Sequence, residues 1–206
     1  MKKVIFVRHG ATESNIEGKM RGWSDDPLSD LGRKQAQLTA QYLKGFAPVE
    51  RIFTSTLPRS IETGEAIESA LNVGIEKLEE LRELNLGDLE GGTERELWEY
   101  FTKNAFDKFG KRRDIALPGG EAISAFLDRI EKGFALIWQQ HPQGTVLVVS
   151  HGVANMVALG KWLEPKNILF WPKFRLDNCS VTEVEFAPEP RLLRLNDTSH
   201  LQAIVR

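Results

Sequence analysis

The chain begins MKKVIFVRHGATESN, and the pair Arg8-His9 follows directly on the apolar run Val4-Ile5-Phe6-Val7. Arginine is a fixed cation with five N–H donors, whereas the histidine ring changes charge close to neutrality. The arrangement returns late in the chain, where Val146-Leu147-Val148-Val149-Ser150 runs into His151 and Gly152. Taken singly, either histidine reads as well as a satisfied core residue as it does a reactive one. Two of them at the carboxyl ends of apolar runs favour a shared site, because ligands of open parallel sheets gather beyond those strand ends. A third run, Arg51-Ile52-Phe53-Thr54, leads through a turn into PRSIETGEAI, which puts Arg59 in the first turn of a helix. Alone, Arg59 is a solvated surface residue. Aimed at one crevice with Arg8, it makes a pair of guanidiniums that demands an anion, and phosphate is the natural candidate. Glu83, within LRELNLGDLEGG, is an ordinary surface carboxylate when read singly and a proton source for a leaving alkoxide when read beside phosphate.

The remaining composition narrows the chemistry. Lys+Arg 27 against Asp+Glu 29 leaves a net charge of -2, so there is no basic field to hold nucleic acid, and an anionic ligand must be caught locally. The histidines His9, His141, His151 and His200 show no H-x-x-x-H or H-x-H spacing, and the single cysteine, Cys179, excludes an internal disulfide and a thiolate cluster. No metal and no cofactor are expected. Arg8 ends the first apolar run too early for a secretory leader, and no stretch approaches a membrane span. The expectation is a soluble cytoplasmic protein with no membrane partner.

The elements that must position these residues follow from pattern. Strand signals fall at Lys3–Val7, Arg51–Thr54, Thr145–Val149 and Val181–Phe186, with weaker ones at Val73–Ile75 and Leu192–Leu195. Helical spacing marks Leu31–Phe46, with Ser29 or Asp30 as cap, and Glu121–Gln140, where Ile123, Phe126, Ile130, Phe134 and Ile137 share a face. Strand alternating with helix predicts an α/β fold: three layers, α/β/α, around a central, mostly parallel sheet. The 206 residues suit one domain, 1–206, with a helical insertion at about 91–121 over the carboxyl-end crevice. Within that insertion Trp98, Tyr100, Phe101, Phe106 and Phe109, together with Trp23 outside it, are apolar candidates for the substrate side, although core packing accounts for most of them individually. The run Lys108, Lys111, Arg112, Arg113 reads as a solvated face or as a contact for an anionic substrate tail.

Along nearly its whole length, at VRHGATESN, STLPRSIETGEAI, LRELNLGDLEGG, LPGGEAISAF, VVSHGV, DNCSVTEVEF and NDTSHL, the chain resembles the histidine phosphatases of the cofactor-dependent phosphoglycerate mutase-like branch. The resemblance implies that His9 becomes phosphorylated, that Arg8, Arg59 and His151 hold the phosphoryl oxygens, that Asn15 is a further phosphate contact and that Glu83 is the proton donor. SHG after Val149, in place of a His-Asp pair, points away from the acid phosphatase and phytase branch. Three departures stand out: Ala11 replaces a frequent glutamate, Leu89 replaces a usual aromatic, and Arg21 precedes Gly22 in KMRGWSDDPLS. Arg21, with Gly22, is a candidate substrate contact at the entrance, or a solvated side chain. The reading is a metal-independent phosphatase acting on small phosphorylated metabolites. A mutase transferring phosphoryl groups between hydroxyls and a phosphate-binding module are its rivals. Oligomeric state is not legible.

Overall fold

A computed structural model describes residues 2–46, 48–104, 106, 114–164 and 175–204. Strand β1 (Lys2–Arg8) is followed by a single helical turn, α1 (Glu13–Ile16), and by α2 (Asp30–Leu43). Next come β2 (Arg51–Thr54), α3 (Pro58–Leu71) and the short β3 (Ile75–Lys77). The second half holds α4 (Glu94–Asn104), α5 (Ile123–Gln140), β4 (Gly144–Ser150), α6 (Gly152–Leu163), β5 (Val181–Phe186) and β6 (Pro190–Asp197). The strands form one sheet in the order β3-β2-β4-β1-β5-β6. The pairs β3-β2, β2-β4 and β4-β1 are parallel, while β5 lies antiparallel to both β1 and β6.

Continuous apolar runs form β1 and β4 because both faces of the sheet are covered. Val4, Phe6, Val146 and Val148 face Phe126, Ile130, Phe134 and Ile137 of α5 and Val153 and Val157 of α6. Ile5, Val7, Leu147 and Val149 face Ala40 and Leu43 of α2 and Ile67 of α3. This is the expected α/β/α layering, and every residue on the predicted apolar face of α5 is buried.

Several boundaries differ from expectation by one to three residues, and three of them have a local reason. Helix α2 stops at Leu43 and not Phe46, because the N–H groups of Lys44, Gly45 and Phe46 bond to carbonyls three residues back, in a tighter turn. The third strand starts at Ile75 and not Val73, because α3 ends on Asn72 in the left-handed region (φ 55°) and the chain is still turning at Val73. Strand β6 runs beyond Leu192–Leu195 at both ends, since pairing with β5 extends from Pro190 to Asp197. Of the sequence between 91 and 121, α4 supplies the helix; Lys108, Phe109, Lys111, Arg112 and Arg113 lie outside the described residues. Among the described residues no helix is long and apolar enough to cross a membrane.

Candidate active site

The register of β1 on β4 pairs Arg8 with Ser150, so the next residue of each strand, His9 and His151, emerges side by side at the carboxyl edge. Their ring centroids are 5.1 Å apart. The backbone N–H of His9 still bonds to the Ser150 carbonyl at 2.9 Å, which carries the ladder to the edge of the site. Gly10 then brings the chain against the first turn of α2: a Cβ there would lie 2.6 Å from the Gly32 carbonyl oxygen. That turn is held by Ser29, whose hydroxyl accepts the Gly32 N–H at 3.0 Å.

The His9 ring is held in one tautomer. Its Nδ1 is 2.8 Å from the Gly10 carbonyl oxygen, which can only accept, so Nδ1 carries the proton and the neutral ring keeps its lone pair on Nε2. Burial, and then the guanidiniums of Arg59 and Arg8, hold its pKa well below that of an ordinary histidine. His151 is likewise pushed well down, by burial and then by Arg59. Its Nε2 lies 2.7 Å from the Ser55 hydroxyl, and its Nδ1 is buried with no hydrogen-bond partner among the described residues.

The two arginines are oriented by neutral carbonyls and form no ion pair among the described residues. Arg8 Nη1 donates to the Leu176 carbonyl at 2.6 Å, while its Nε is buried without an acceptor among the described residues. Arg59, only 2% exposed, donates to the carbonyls of Ser24 and Gly22 at 2.9 and 2.8 Å. The loop that offers those carbonyls turns its N–H groups the other way: Gly22, Trp23 and Ser24 donate to one Glu90 carboxylate oxygen at 2.9, 2.6 and 3.3 Å.

Glu83 reaches the same place from a loop beyond β3. Its Oε1 accepts from the N–H groups of Leu84 (2.8 Å) and Ala154 (3.1 Å), and its Oε2 from that of Val153 (2.9 Å). The carboxyl therefore sits on the N-terminus of α6, the helix that His151 opens. Burial raises its pKa above the ordinary carboxylate value, against the opposing pull of the Val153 and Leu84 N–H groups and then of Arg59 and Arg8. Oε2, with one N–H partner to Oε1's two, is the oxygen better placed to carry a proton.

These groups meet on a cavity of about 430 Å³. Arg8, His9, Arg59 and Glu83 line it, as do the sequence candidates Asn15 and Arg21. Asn15 spends its Oδ1 on the Thr12 N–H and the Asn178 amide, while Arg21 Nε pairs with Asp26 at 3.3 Å and with Ser14 at 3.0 Å. Two sequence candidates stay off the wall: His151 is fully buried beside His9, and Gly22 acts through the carbonyl that holds Arg59. Of the aromatic candidates Trp98 lines the cavity, Phe101 turns the same helix into the core, and Trp23 lies beneath Glu83, donating Nε1 to its carbonyl at 2.8 Å.

Sequence reasoning overlooked Glu94, Arg175 and Asn178, all on the cavity wall. Asn178 donates to the His9 carbonyl and to Asn15 Oδ1, both at 3.0 Å, and so ties the end of β1 to α1. The available signal was DNCS, an Asn-Cys pair placed directly before a strand. Cys179 holds a left-handed backbone (φ 57°) there, and burial pushes its thiol up to about 12.

Two buried histidines, one buried arginine and one half-buried arginine thus meet at the carboxyl edge of a mixed α/β sheet. The chain belongs to the histidine phosphatase superfamily (branch 1), whose family model matches residues 4–198. It is 31% identical over 207 residues to the uncharacterized phosphatase PhoE of Bacillus subtilis, covering all of both chains. It is 32% identical over 221 residues to a probable phosphoglycerate mutase, GpmB, of Proteus mirabilis, covering 99% of this chain and 97% of that one. Among solved structures, a phosphoserine phosphatase from Entamoeba histolytica in complex with 3-phosphoglyceric acid superposes with a TM-score of 0.79 at 28% identity, covering 98% of this chain and 100% of that one.

Proposed function

We propose that the protein is a phosphatase that hydrolyses small phosphate monoesters through a phosphohistidine at His9, without a metal ion. The observation that carries this reading is the His9 ring: Nδ1 committed to the Gly10 carbonyl, and Nε2 with no hydrogen-bond partner among the described residues, on a cavity that also holds two arginines. In the first step Nε2 attacks phosphorus, the bond from phosphorus to the alkyl oxygen breaks, and protonated Glu83 transfers its proton to the departing oxygen. In the second, water attacks the phosphohistidine, the P–N bond breaks, the Glu83 carboxylate takes a proton from the water, and inorganic phosphate leaves. Arg8 and Arg59 offset the charge on the equatorial oxygens throughout. The orphaned Arg8 Nε supplies one further donor for those oxygens, otherwise left at the cost of a buried unsatisfied group.

Hydrolysis is favoured over mutase transfer because the residues after Glu83 offer no cation to grip an acceptor's carboxylate. Leu84 and Leu86 are core residues, and the Asn85 side chain accepts the Gly87 N–H. The names of the Bacillus phosphatase and the Entamoeba phosphoserine phosphatase fit hydrolysis, and that of the Proteus protein keeps the mutase as the rival. The test incubates the protein with labelled phosphate monoesters. It traps acid-labile, alkali-stable phosphate on the wild type and not on His9→Ala, and compares free phosphate with 2-phosphoglycerate formed from 3-phosphoglycerate. Retained turnover in His9→Ala, or isomerisation ten times faster than phosphate release, overturns the assignment.

A further inference from the structure

We infer that the Arg129–Glu121 ion pair positions the proton donor Glu83, setting the distance from its carboxyl to the leaving oxygen without touching substrate; the inference rests on the phosphatase reading above. Arg129 projects from α5, and all five of its N–H donors are spent. Nε and Nη2 bridge the two oxygens of Glu121 at 2.8 and 2.7 Å. Nη2 also donates to the Glu83 carbonyl at 3.0 Å, and Nη1 to the carbonyls of Glu80 and Arg82, both at 2.9 Å. The segment that delivers the acid is thus wound around one guanidinium.

The residue after the core leucine is held by the other half of the pair. Glu121 Oε2 accepts the Asn85 N–H at 2.9 Å, and the Glu121 N–H donates to the Asn85 carbonyl at 3.0 Å. Trp23 completes the enclosure: its Nε1 donates to the Glu83 carbonyl, and its ring lies under the guanidinium carbons of Arg82 (4.9 Å) and Arg129 (5.6 Å). One turn along α5, Gly133 lets the segment lie close, since a Cβ there would sit 2.7 Å from that of Glu80. The carboxyl itself receives no bond from this group; its partners are the N–H groups of Leu84, Val153 and Ala154. The backbone of Glu83 is therefore fixed by α5 while its carboxyl is fixed by α6, so loosening the first tilts the acid against the second. With Glu121 the pair is also largely desolvated, at 16% and 15% side-chain exposure, and Arg129 is not replaceable by a point charge: lysine has three donors and no fork.

The experiment compares Arg129→Lys and Glu121→Gln with wild type on propyl phosphate, whose leaving group needs a proton, and on p-nitrophenyl phosphate, whose leaving group does not. The quantity read is kcat/KM, which ends at phosphorylation of His9. A misplacement near 1 Å costs on the order of 10²-fold in a catalytic contact, so each variant should lose roughly 10- to 100-fold on propyl phosphate. The loss on the aryl ester should stay below about threefold, because that step does not rely on the displaced acid. In a Glu83→Gln background the Arg129→Lys loss on propyl phosphate should largely vanish, since the two changes strike one function. Equal losses on both esters, full additivity with Glu83→Gln, or no loss at all overturns the proposal. Failure of both variants to fold also overturns it, by assigning the pair to the fold. A wild type inactive on both esters sinks the phosphatase reading instead.

Discussion

If the two site histidines stay neutral in the folded chain, acid must destabilise the protein by an amount that follows from their burial. Each ring has an ordinary value of 6.5 when the chain is unfolded and a value well below that when folded, because burial and the neighbouring arginines penalise the imidazolium. Below pH 6.5 the unfolded chain takes up protons that the folded one refuses, so stability falls as pH falls. Between pH 7.5 and 5.5 a histidine that titrates only when unfolded contributes a loss of about 1.4 kcal/mol, and two contribute about 2.7 kcal/mol. Glu83 works in the opposite sense, because its raised pKa makes the folded chain the better proton acceptor as pH drops. The clean measurement is therefore a difference: urea unfolding of wild type and His9→Asn at the two pH values, in buffers free of phosphate. Asparagine removes the titration and keeps a donor for the Gly10 carbonyl. The wild type should lose about 1.4 kcal/mol more than the variant over this interval. Equal losses would mean that His9 protonates in the folded state as an ordinary histidine does, and that it is not a neutral nucleophile poised on Nε2.

Glu83→Gln should lower kcat/KM roughly 10²- to 10⁴-fold on propyl phosphate and far less on p-nitrophenyl phosphate, and a matched loss on both would make Glu83 a binding group. With Glu83 in place, kcat/KM for propyl phosphate should fall as pH rises through the raised pKa of that carboxyl, and the alkaline limb should disappear in the variant. Glu94 lines the cavity as an exposed carboxylate with no hydrogen bond or ion pair among the described residues, so it repels anionic substrate tails. Glu94→Gln should raise turnover of phosphoglycolate relative to propyl phosphate by about two- to fivefold, the scale of an exposed charge pair, and an unchanged ratio would detach it from the site. EDTA should leave activity intact while vanadate inhibits it; loss in EDTA that a divalent ion restores would show a metal-dependent reaction.

What the sequence determined by itself was whatever depends on neighbours along the chain. Continuous apolar runs had to become strands buried on both faces, and the spacing of Ile123, Phe126, Ile130, Phe134 and Ile137 had to become one face of a helix. Since a histidine follows each of two such runs, its place at a strand end was legible too. The sequence could not order the strands, and it is β4 lying beside β1 that brings His9 and His151 together across more than a hundred residues. Nor could it show that Glu83 would rest on the N–H groups of Val153 and Ala154, or that Gly22 would serve Arg59 through its carbonyl. Asn178, Glu94 and Arg129 look like ordinary polar residues in the chain, because no local period marks a side chain whose partners lie on another element. Helix and strand patterns report hydrophobic burial, which repeats with the backbone. The hydrogen bonds that orient a reacting group depend on which segments pack together, and only the assembled layers decide that.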